Sequence, residues 1–460
     1  MKRIATIILL ILLPAGGFAQ AKPSSAGVAK EVEARTGHKL NPAAKPSGWS
    51  LPQGVSLDEG VTEDEAVAIA LWNNPALQAE LTALGLARAD VIEAGQLRNP
   101  SLTLIFPFGV RILESVVNWP FEALWQRPKR VAAAKLELER VEETLVTRAL
   151  DLVRDVRLAY ADYAIARSRA RLTADSVRER AQIATIFNAR FRAGDISELE
   201  TGAARLDVRL AEEQALRFTH DAELARERLR ALLGFAGGPA FEFKLPEAVE
   251  TSDVVQPVVL KTSSATPPAA DPSQTLDELI KQAFDARPEL KAGELAIEAA
   301  GARAKWERSR ILSVSALAKE YGRSGSGRFE QGPGVQIELP IFNRNQGGIS
   351  RAEAEVERAA KQFIATRQRI SAEVREAYTQ LTQAREAREQ WRERVLPAIQ
   401  EDIRRAEIAY KAGEAPYLLL LETTHRLTDA RLRIPELQVA EARALAQLER
   451  NVGRRLIANR

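Results

Sequence analysis

The sequence predicts a mainly α-helical protein with a membrane β-barrel portion, built from a duplicated helix-strand-strand-helix-helix unit whose long helices form antiparallel coiled-coil hairpins. Three observations carry that reading. Short motifs return in order: "NNPALQA" at 73–79 as "ARPELKA" at 286–292, "VRLAY" at 156–160 as "VREAY" at 374–378, "FRAGD" at 191–195 as "YKAGE" at 410–414, and "LLG" ending at Gly234 as "NVG" ending at Gly453. Such matches at nearly constant offset mark one duplicated unit. The span Lys129 to Arg192 lacks proline and glycine, and as a single helix it extends about 95 Å at about 1.5 Å per residue. The stretch "ELPIFNRNQGGISRAEAE", Glu338 to Glu355, opens as a strand and closes as a charged helix.

Taken in chain order, residues 1–21 read as a signal peptide: "MKR" is a basic start, "IATIILLILLPAGG" an apolar stretch short for a membrane span, and Ala19-Gln20-Ala21 an A-x-A cleavage site. Residues 22–59 are expected to form an irregular, Pro- and Gly-containing periplasmic arm. The first repeat takes 60–240, a Pro/Ser/Thr-rich linker 241–274, and the second repeat 275–457. Beyond the leader no segment has about 18 consecutive apolar residues, so a further membrane crossing must use strands.

Strand candidates flank the long helices. Leu102, Leu104, Phe106 and Phe108 alternate in the first strand, and Leu113, Val117, Trp119 and Phe121 in the second, across a short connection at Gly109. In the second copy Leu312, Val314, Ala316 and Ala318 are followed by a turn at Gly322–Gly332 and then by Val335, Ile337, Leu339 and Ile341. A period of two puts one face in an apolar setting, and strands of about ten residues cross a bilayer when tilted. Phe106, Phe108, Trp119, Phe121 and Trp125 in the first copy, with Tyr321, Phe329 and Phe342 in the second, suit an interfacial girdle. Four strands cannot close a barrel, and unpaired edges in lipid leave backbone groups unsatisfied, so several copies must share one. Gln336 and Glu338 would then face a wet lumen. Pro340, Asn343, Asn345 and Gly347 are the candidate barrel-to-helix join.

The helices carry a seven-residue pattern. Ala149, Val156, Tyr163, Ala170, Val177, Ala184 and Phe191 form one row, beside Leu145, Leu152, Ala159 and Ala166. The second copy repeats it with Ile370, Ala377, Ala384, Trp391 and Ala398 beside Val374, Leu381 and Val395. Such rows define a coiled-coil seam. Pro397 is expected to kink the second long helix near its far end.

Composition excludes several function classes. The chain of 460 residues is 28% charged, and 65 basic against 62 acidic residues leave +3. No clustered basic face is visible along the sequence, so nucleic acid is not a partner. The absence of cysteine rules out disulfides, thiolate metal sites and an N-terminal lipid-modified Cys. His38, His220 and His425 lack ligand spacing, so no metal or cofactor site is read, and no phosphate loop or nucleophile elbow supports an enzyme.

The duplicated plan, "NNPAL" in the first helix, "LPIFNRNQG" after the fourth strand and the "RAGD" and "KAGE" tips resemble the outer membrane factor (TolC) family, nearest its cobalt-zinc-cadmium resistance branch. The resemblance spans about Gly60 to Arg455. It implies a homotrimer with a twelve-stranded outer membrane barrel and a periplasmic helical tunnel, docked on a periplasmic adaptor (membrane fusion) protein and an inner-membrane pump of the resistance-nodulation-division type. The missing Cys departs from lipid-anchored relatives. On this reading Gly194, Asp195, Ile196 and Ser197, with Gly413, Glu414, Ala415 and Pro416, are the adaptor-contact tips. Glu401, Asp402 and Glu407, within about three turns of the second tip, are the candidate periplasmic gate. The cargo is expected to be heavy-metal cations, with drug efflux and type I protein secretion as alternatives. A periplasmic adaptor or coiled-coil structural protein is the rival from another class, and it leaves the repeated aromatic strands unexplained.

Overall fold

The computed structural model describes residues 26–41, 49–58, 60–106, 111–235, 241–244, 275–323 and 329–456. Each copy opens with two helices where one was expected: α2 (Glu63–Asn73) and α3 (Pro75–Gly95), then α6 (Leu276–Ala286) and α7 (Pro288–Ser309). The proline of each motif explains the break. It lacks an N–H and biases the preceding residue out of helical backbone, so Asn74 sits at ψ 118° and Arg287 at ψ 124°, while the proline itself starts the next helix. Capping boxes, Thr62 with Glu65 and Thr275 with Glu278, fix the start of α2 and of α6.

The sheet connects the copies. Strands β1 (Ser101–Ile105), β2 (Arg111–Pro120), β3 (Ser313–Arg323) and β4 (Phe329–Glu338) pair antiparallel in the order β1-β2-β3-β4. The central β2–β3 ladder joins strands from different repeats, and β1 and β4 remain open edges. The connection anticipated at Gly322–Gly332 is shorter than expected, since β3 runs to Arg323 and β4 starts at Phe329. The first strand also ends early, leaving Phe106 beyond it; Phe108 and Gly109 lie outside the described residues.

From β2 the chain enters α4 (Ala123–Ala193), 71 residues that span about 105 Å. It starts earlier than Lys129 because Pro128 is accommodated inside its second turn. Helix α5 (Glu198–Leu232) returns along it. The second copy runs α8 (Gln346–Gln390), a π turn at Trp391–Val395, α9 (Leu396–Lys411) and α10 (Tyr417–Val452). Here Pro397 occupies a first-turn position of α9, and the π turn just before it absorbs the interrupted ladder. Among the described residues no helix is long and apolar enough to cross a membrane.

The duplication is visible in contacts as well as order. Gly234, at φ 80°, packs so closely that a Cβ there would lie 2.5 Å from the backbone oxygen of Asn73, just before Pro75. Gly453, at φ 83°, packs the same way on Ala286 and Arg287, just before Pro288, where a Cβ would meet atoms at 3.3–3.4 Å. The two repeats are therefore locked by one device used twice.

Two expectations are corrected by burial. The N-terminal arm is not irregular throughout: Ala26–Thr36 is a helix, α1, whose Val28 and Val32 are buried in the first repeat's core against α4. The linker starts later than 241, because Phe241 and Phe243 are core residues, and Phe243 makes a parallel bridge with Val61. The seam also drifts. Ala149, Val156 and Tyr163 are buried as expected, but Ala170 and Val177 are only half-buried and Phe191 is exposed, while Thr173, Ser176 and Phe187 are buried instead. A straight helix turns through 3.6 residues, so a strict seven-residue row slides off the contact line over this length. In the second copy Ile370, Val374, Ala377 and Leu381 are buried, and burial weakens toward Trp391 and Val395.

Candidate channel wall, hairpin tips and strand-to-helix join

The sheet is two-faced. Leu102 and Leu104 pair with Val117 and Ser115, Val117 and Trp119 with Ala318 and Ala316, and Ala316 with Val335, so these residues share one face. Leu102, Leu104, Trp119, Val335 and Ile337 on that face are exposed. The opposite face mixes Thr103, Asn118, Lys319, Gln336 and Glu338 with the apolar Ile105, Val116 and Leu317, and Lys319 Nζ lies 2.5 Å from the Glu114 carboxylate across the β2–β3 ladder. An exposed apolar face on an unclosed sheet calls for further apolar surroundings.

Both expected tips are tight turns between antiparallel helices. Gly194 and Gly413 end α4 and α9 in the left-handed region, at φ 83° and 74°, with Asp195 N donating to Arg190 O and Glu414 N to Ala409 O. Ile196 tucks onto the Ala184, Phe187 and Ala204 cluster, and Ser197 caps α5 with Glu200. Pro416 starts α10 without a side-chain cap, and Ala415 is half-buried. Asp195 and Glu414 point to solvent. Arg190 Nη1 donates to Tyr410 Oη at 2.8 Å and brings the two tips together.

Of the three carboxylates named as gate candidates, Glu401 is held by two arginines, Arg404 at 2.6 Å and Arg405 at 2.8 Å. The Arg404 hydrogen bonds hold its carboxyl below the usual range, helped by Arg405. Asp402 and Glu407 are exposed. A further link lies higher between the hairpins. Asp207 of α5 accepts from Arg180 Nη1 of α4 at 2.6 Å and contacts His425 Nε2 of α10 at 3.0 Å. Sequence spacing could not reveal it, since the three residues come from three helices. No group of three or more metal-ligating side chains occurs among the described residues.

At the join, Asn345 is the one non-glycine residue with positive φ among the described residues, φ 57°. Its Nδ2 donates to the Glu307 backbone oxygen at 2.9 Å and to Glu307 Oε2 at 2.8 Å, while its own N donates to Asn343 Oδ1. Arg344 Nε reaches Pro340 O at 3.2 Å. Of the two glycines Gly348 is the crowded one: a Cβ there would lie 2.5 Å from Asn345 Oδ1 and 2.8 Å from Glu307 Oε2, whereas at Gly347 it would meet nothing within 4 Å. The end of α7 and the start of α8 are thereby clamped beneath the β3–β4 hairpin.

Two charge features were not legible in the sequence. In mid-body, buried Arg287 pairs with Glu289 at 2.7 Å and with Glu373, and buried Arg450 pairs with Glu289 and Asp151, both at 2.7 Å. Arg35 of α1 donates to the backbone oxygens of Ala286 and Gly453 and ties the N-terminal helix to the second repeat. The available signal was Arg287 itself, which replaces Asn74 in the repeated motif. In addition, basic side chains that are scattered along the sequence converge where the strands meet the helices.

This architecture has close counterparts. The family model described as outer membrane efflux protein matches residues 115–235 and 279–454, well over half of the chain. The chain belongs to the outer membrane efflux protein family. Its fold agrees with solved structures at low identity: a crystal structure of CusC (TM-score 0.69, 18% identity, 90% of this chain and 98% of that one) and the open state of the Neisseria gonorrhoeae MtrE outer membrane channel (TM-score 0.66, 15% identity, 91% and 97%). Among curated sequences, the cobalt-zinc-cadmium resistance protein CzcC of Cupriavidus metallidurans is 27% identical over 395 residues, covering 85% of this chain and 89% of that protein. The cation efflux system protein CusC of Escherichia coli is 25% identical over 300 residues, 63% and 60% of the two chains. For this outer membrane efflux protein the family match begins inside β2, so α1 and its clamp lie outside it.

Proposed function

We propose that this outer membrane efflux protein is the passive exit duct of a tripartite assembly, conducting heavy-metal cations delivered by a resistance-nodulation-division pump through a periplasmic adaptor. The observation that carries the reading is the four-stranded sheet with an exposed apolar face and two open edges, continuous with helices about 100 Å long. Three copies, twelve strands in all, satisfy those edges by closing one barrel, and the polar face then lines the lumen. Leu199, Leu206, Leu210 and Leu224 form an exposed row along α5 and supply the lateral contact between copies. The tips Gly194–Ser197 and Gly413–Pro416 form the periplasmic end and meet the adaptor, and Glu401, Asp402 and Glu407 are the gate candidates. The metal cargo is favoured by the likeness to CzcC and CusC.

Crosslinking of detergent-extracted protein tests the assembly: three joined subunits are expected, and a soluble periplasmic monomer would refute it. Cysteines placed at Asp195 and Glu414 should crosslink to the adaptor in whole cells. Failure there, with efficient crosslinks from the strand end of the molecule, would invert the orientation.

A further inference from the structure

The apolar face of the sheet ends in a belt of positive charge, and we propose that this belt binds the headgroups of anionic phospholipids in the periplasmic leaflet of the outer membrane. The inference rests on the barrel reading above. The last pair of the β3–β4 ladder is Ser313 with Glu338, yet the exposed apolar surface runs past it through Leu339 and Ile341 to Phe342, which is 92% exposed. On the β2 side it continues from Trp119 through Phe121 to Leu124. The membrane-facing surface thus extends onto the first turns of the helices.

Directly beyond it the chemistry changes. Leu124 is followed by Arg127, Lys129 and Arg130, and Phe342 by Arg344 and Arg351. The end of α7 adds Arg303, Lys305, Arg308 and Arg310, and the connection from α3 to β1 adds Arg98. Segments 94–100, 121–130, 303–312 and 338–355 hold these ten cations against five carboxylates, Glu122, Glu307, Glu338, Glu353 and Glu355. That surplus of five exceeds the +3 of the entire chain. Positive charge is therefore concentrated at this level and offset elsewhere.

The carboxylates do not cancel the belt toward lipid. Glu122 and Glu307 are buried, and Glu338 belongs to the polar face of the sheet. Ion pairs occupy three cations: Arg303 with Glu355, Arg308 with Glu353 and Arg310 with Glu307. Arg127 and Arg130 instead donate to backbone oxygens of Ala94, Gly95 and Gln96 at the end of α3, which orients the guanidinium groups without spending them on a carboxylate. Lys129, Lys305 and Arg351 are exposed with no carboxylate partner among the described residues.

Depth supports the assignment. Lys129 lies five residues beyond Leu124, roughly 8 Å along the helix, which is the thickness of a headgroup layer outside the hydrocarbon. Long basic side chains reach up to such a plane while their stems cover apolar surface. Phosphodiester headgroups with net negative charge complement the belt, and every copy in the barrel repeats it.

The test uses the full chain reconstituted in vesicles, with its tryptophans quenched by brominated phosphatidylglycerol or brominated phosphatidylcholine. A basic residue near an anionic surface contributes up to about fivefold in association. Wild type should therefore prefer phosphatidylglycerol several-fold, and the preference should shrink as salt rises. The variant Lys129→Gln/Lys305→Gln/Arg351→Gln should lose most of it, whereas Arg209→Gln, on the exposed surface of α5, should not. Equal quenching by both lipids in wild type, or an unchanged preference in the triple variant, overturns the proposal. A chain that enters neither vesicle refutes the barrel reading and this inference together.

Discussion

The duplicated glycine lock makes a ranking of four substitutions calculable from the structure. Alanine in the left-handed region costs about 1–2 kcal/mol wherever it is placed. At Gly194 and Gly413 a Cβ would meet nothing within 4 Å, so that backbone cost is the whole effect. At Gly453 the added carbon would contact Arg287 and Ala286 at 3.3–3.4 Å, which small shifts absorb. At Gly234 it would lie 2.5 Å from a backbone oxygen and 3.0 Å from the attached carbon of Asn73. The α2–α3 corner must then move, and overpacking adds about 1–3 kcal/mol. Gly234→Ala should cost roughly 2–5 kcal/mol in total, Gly453→Ala somewhat less, and the two tip variants least. Circular dichroism melts of the detergent-solubilised chain read the order, and Asn at Gly194 should recover part of the tip loss because it tolerates this backbone. A Gly194→Ala variant that melts as low as Gly234→Ala would show that the lock is not a lock.

Asp207→Asn removes the carboxylate charge that faces Arg180 and His425, leaving a nearly buried guanidinium without its counter-charge at a cost of about 3 kcal/mol; limited proteolysis should detect earlier cleavage in α5 and α10, and wild-type resistance would contradict the assignment. The triple variant Glu401→Ala/Asp402→Ala/Glu407→Ala should reduce cation preference in single-channel recordings, because carboxylates repeated around a narrow ring select by charge. Unchanged selectivity and conductance would remove all three from the gate.

How much was legible follows from how local each feature is. The repeats, the strand alternation and the glycine tips are written in adjacent residues, and they appear where the motifs place them. Helix α1 was missed because Val28 and Val32 are its main apolar anchors in eleven residues, too little for a periodic signal; it is stable through packing on α4. The seam drift at Ala170 and Val177 needs the pitch of a long helix, not its composition. Gly347 and Gly348 are indistinguishable until Asn345 and Glu307 are seen against one of them. The join and the tips were thus readable as positions, whereas the Asp207 link and the basic belt arise from segments far apart in the chain.

The two copies solve the same corner with different chemistry, and this predicts how acid acts on the molecule. In the first copy Asn74 caps α3 by accepting from Leu77 N and donating to Leu232 O, beneath an aromatic core of Tyr163, Phe235, Phe241 and Phe243. None of those groups titrates below neutrality. In the second copy Arg287 stands at that corner and is bound by Glu289 and Glu373, with Arg450 closing the set. Burial opposes ionisation of Glu289, but the Arg287 hydrogen bonds and the charges of Arg450 and Arg287 outweigh it and hold the carboxyl at about 2. A depressed folded value means the stabilisation is fully present above the unfolded value near 4.5 and is lost as pH falls toward about 2. Asp64 of α2, also held at about 2 with His38 and Arg455 beside it, pairs with Arg455 just past α10, so its protonation frees that end of the second repeat and not the Asn74 corner. Acidification from pH 5 to pH 2.5, roughly the window these values set, should therefore loosen α6, α7 and the end of α10 before α2 and α3. Hydrogen exchange on the detergent-solubilised chain can follow the corners separately. Glu289→Gln should make exchange at the second corner high and nearly independent of pH across that window. Simultaneous loosening of both corners in wild type, or an acid response retained in Glu289→Gln, would mean that the ion pairs are not what holds the second copy together.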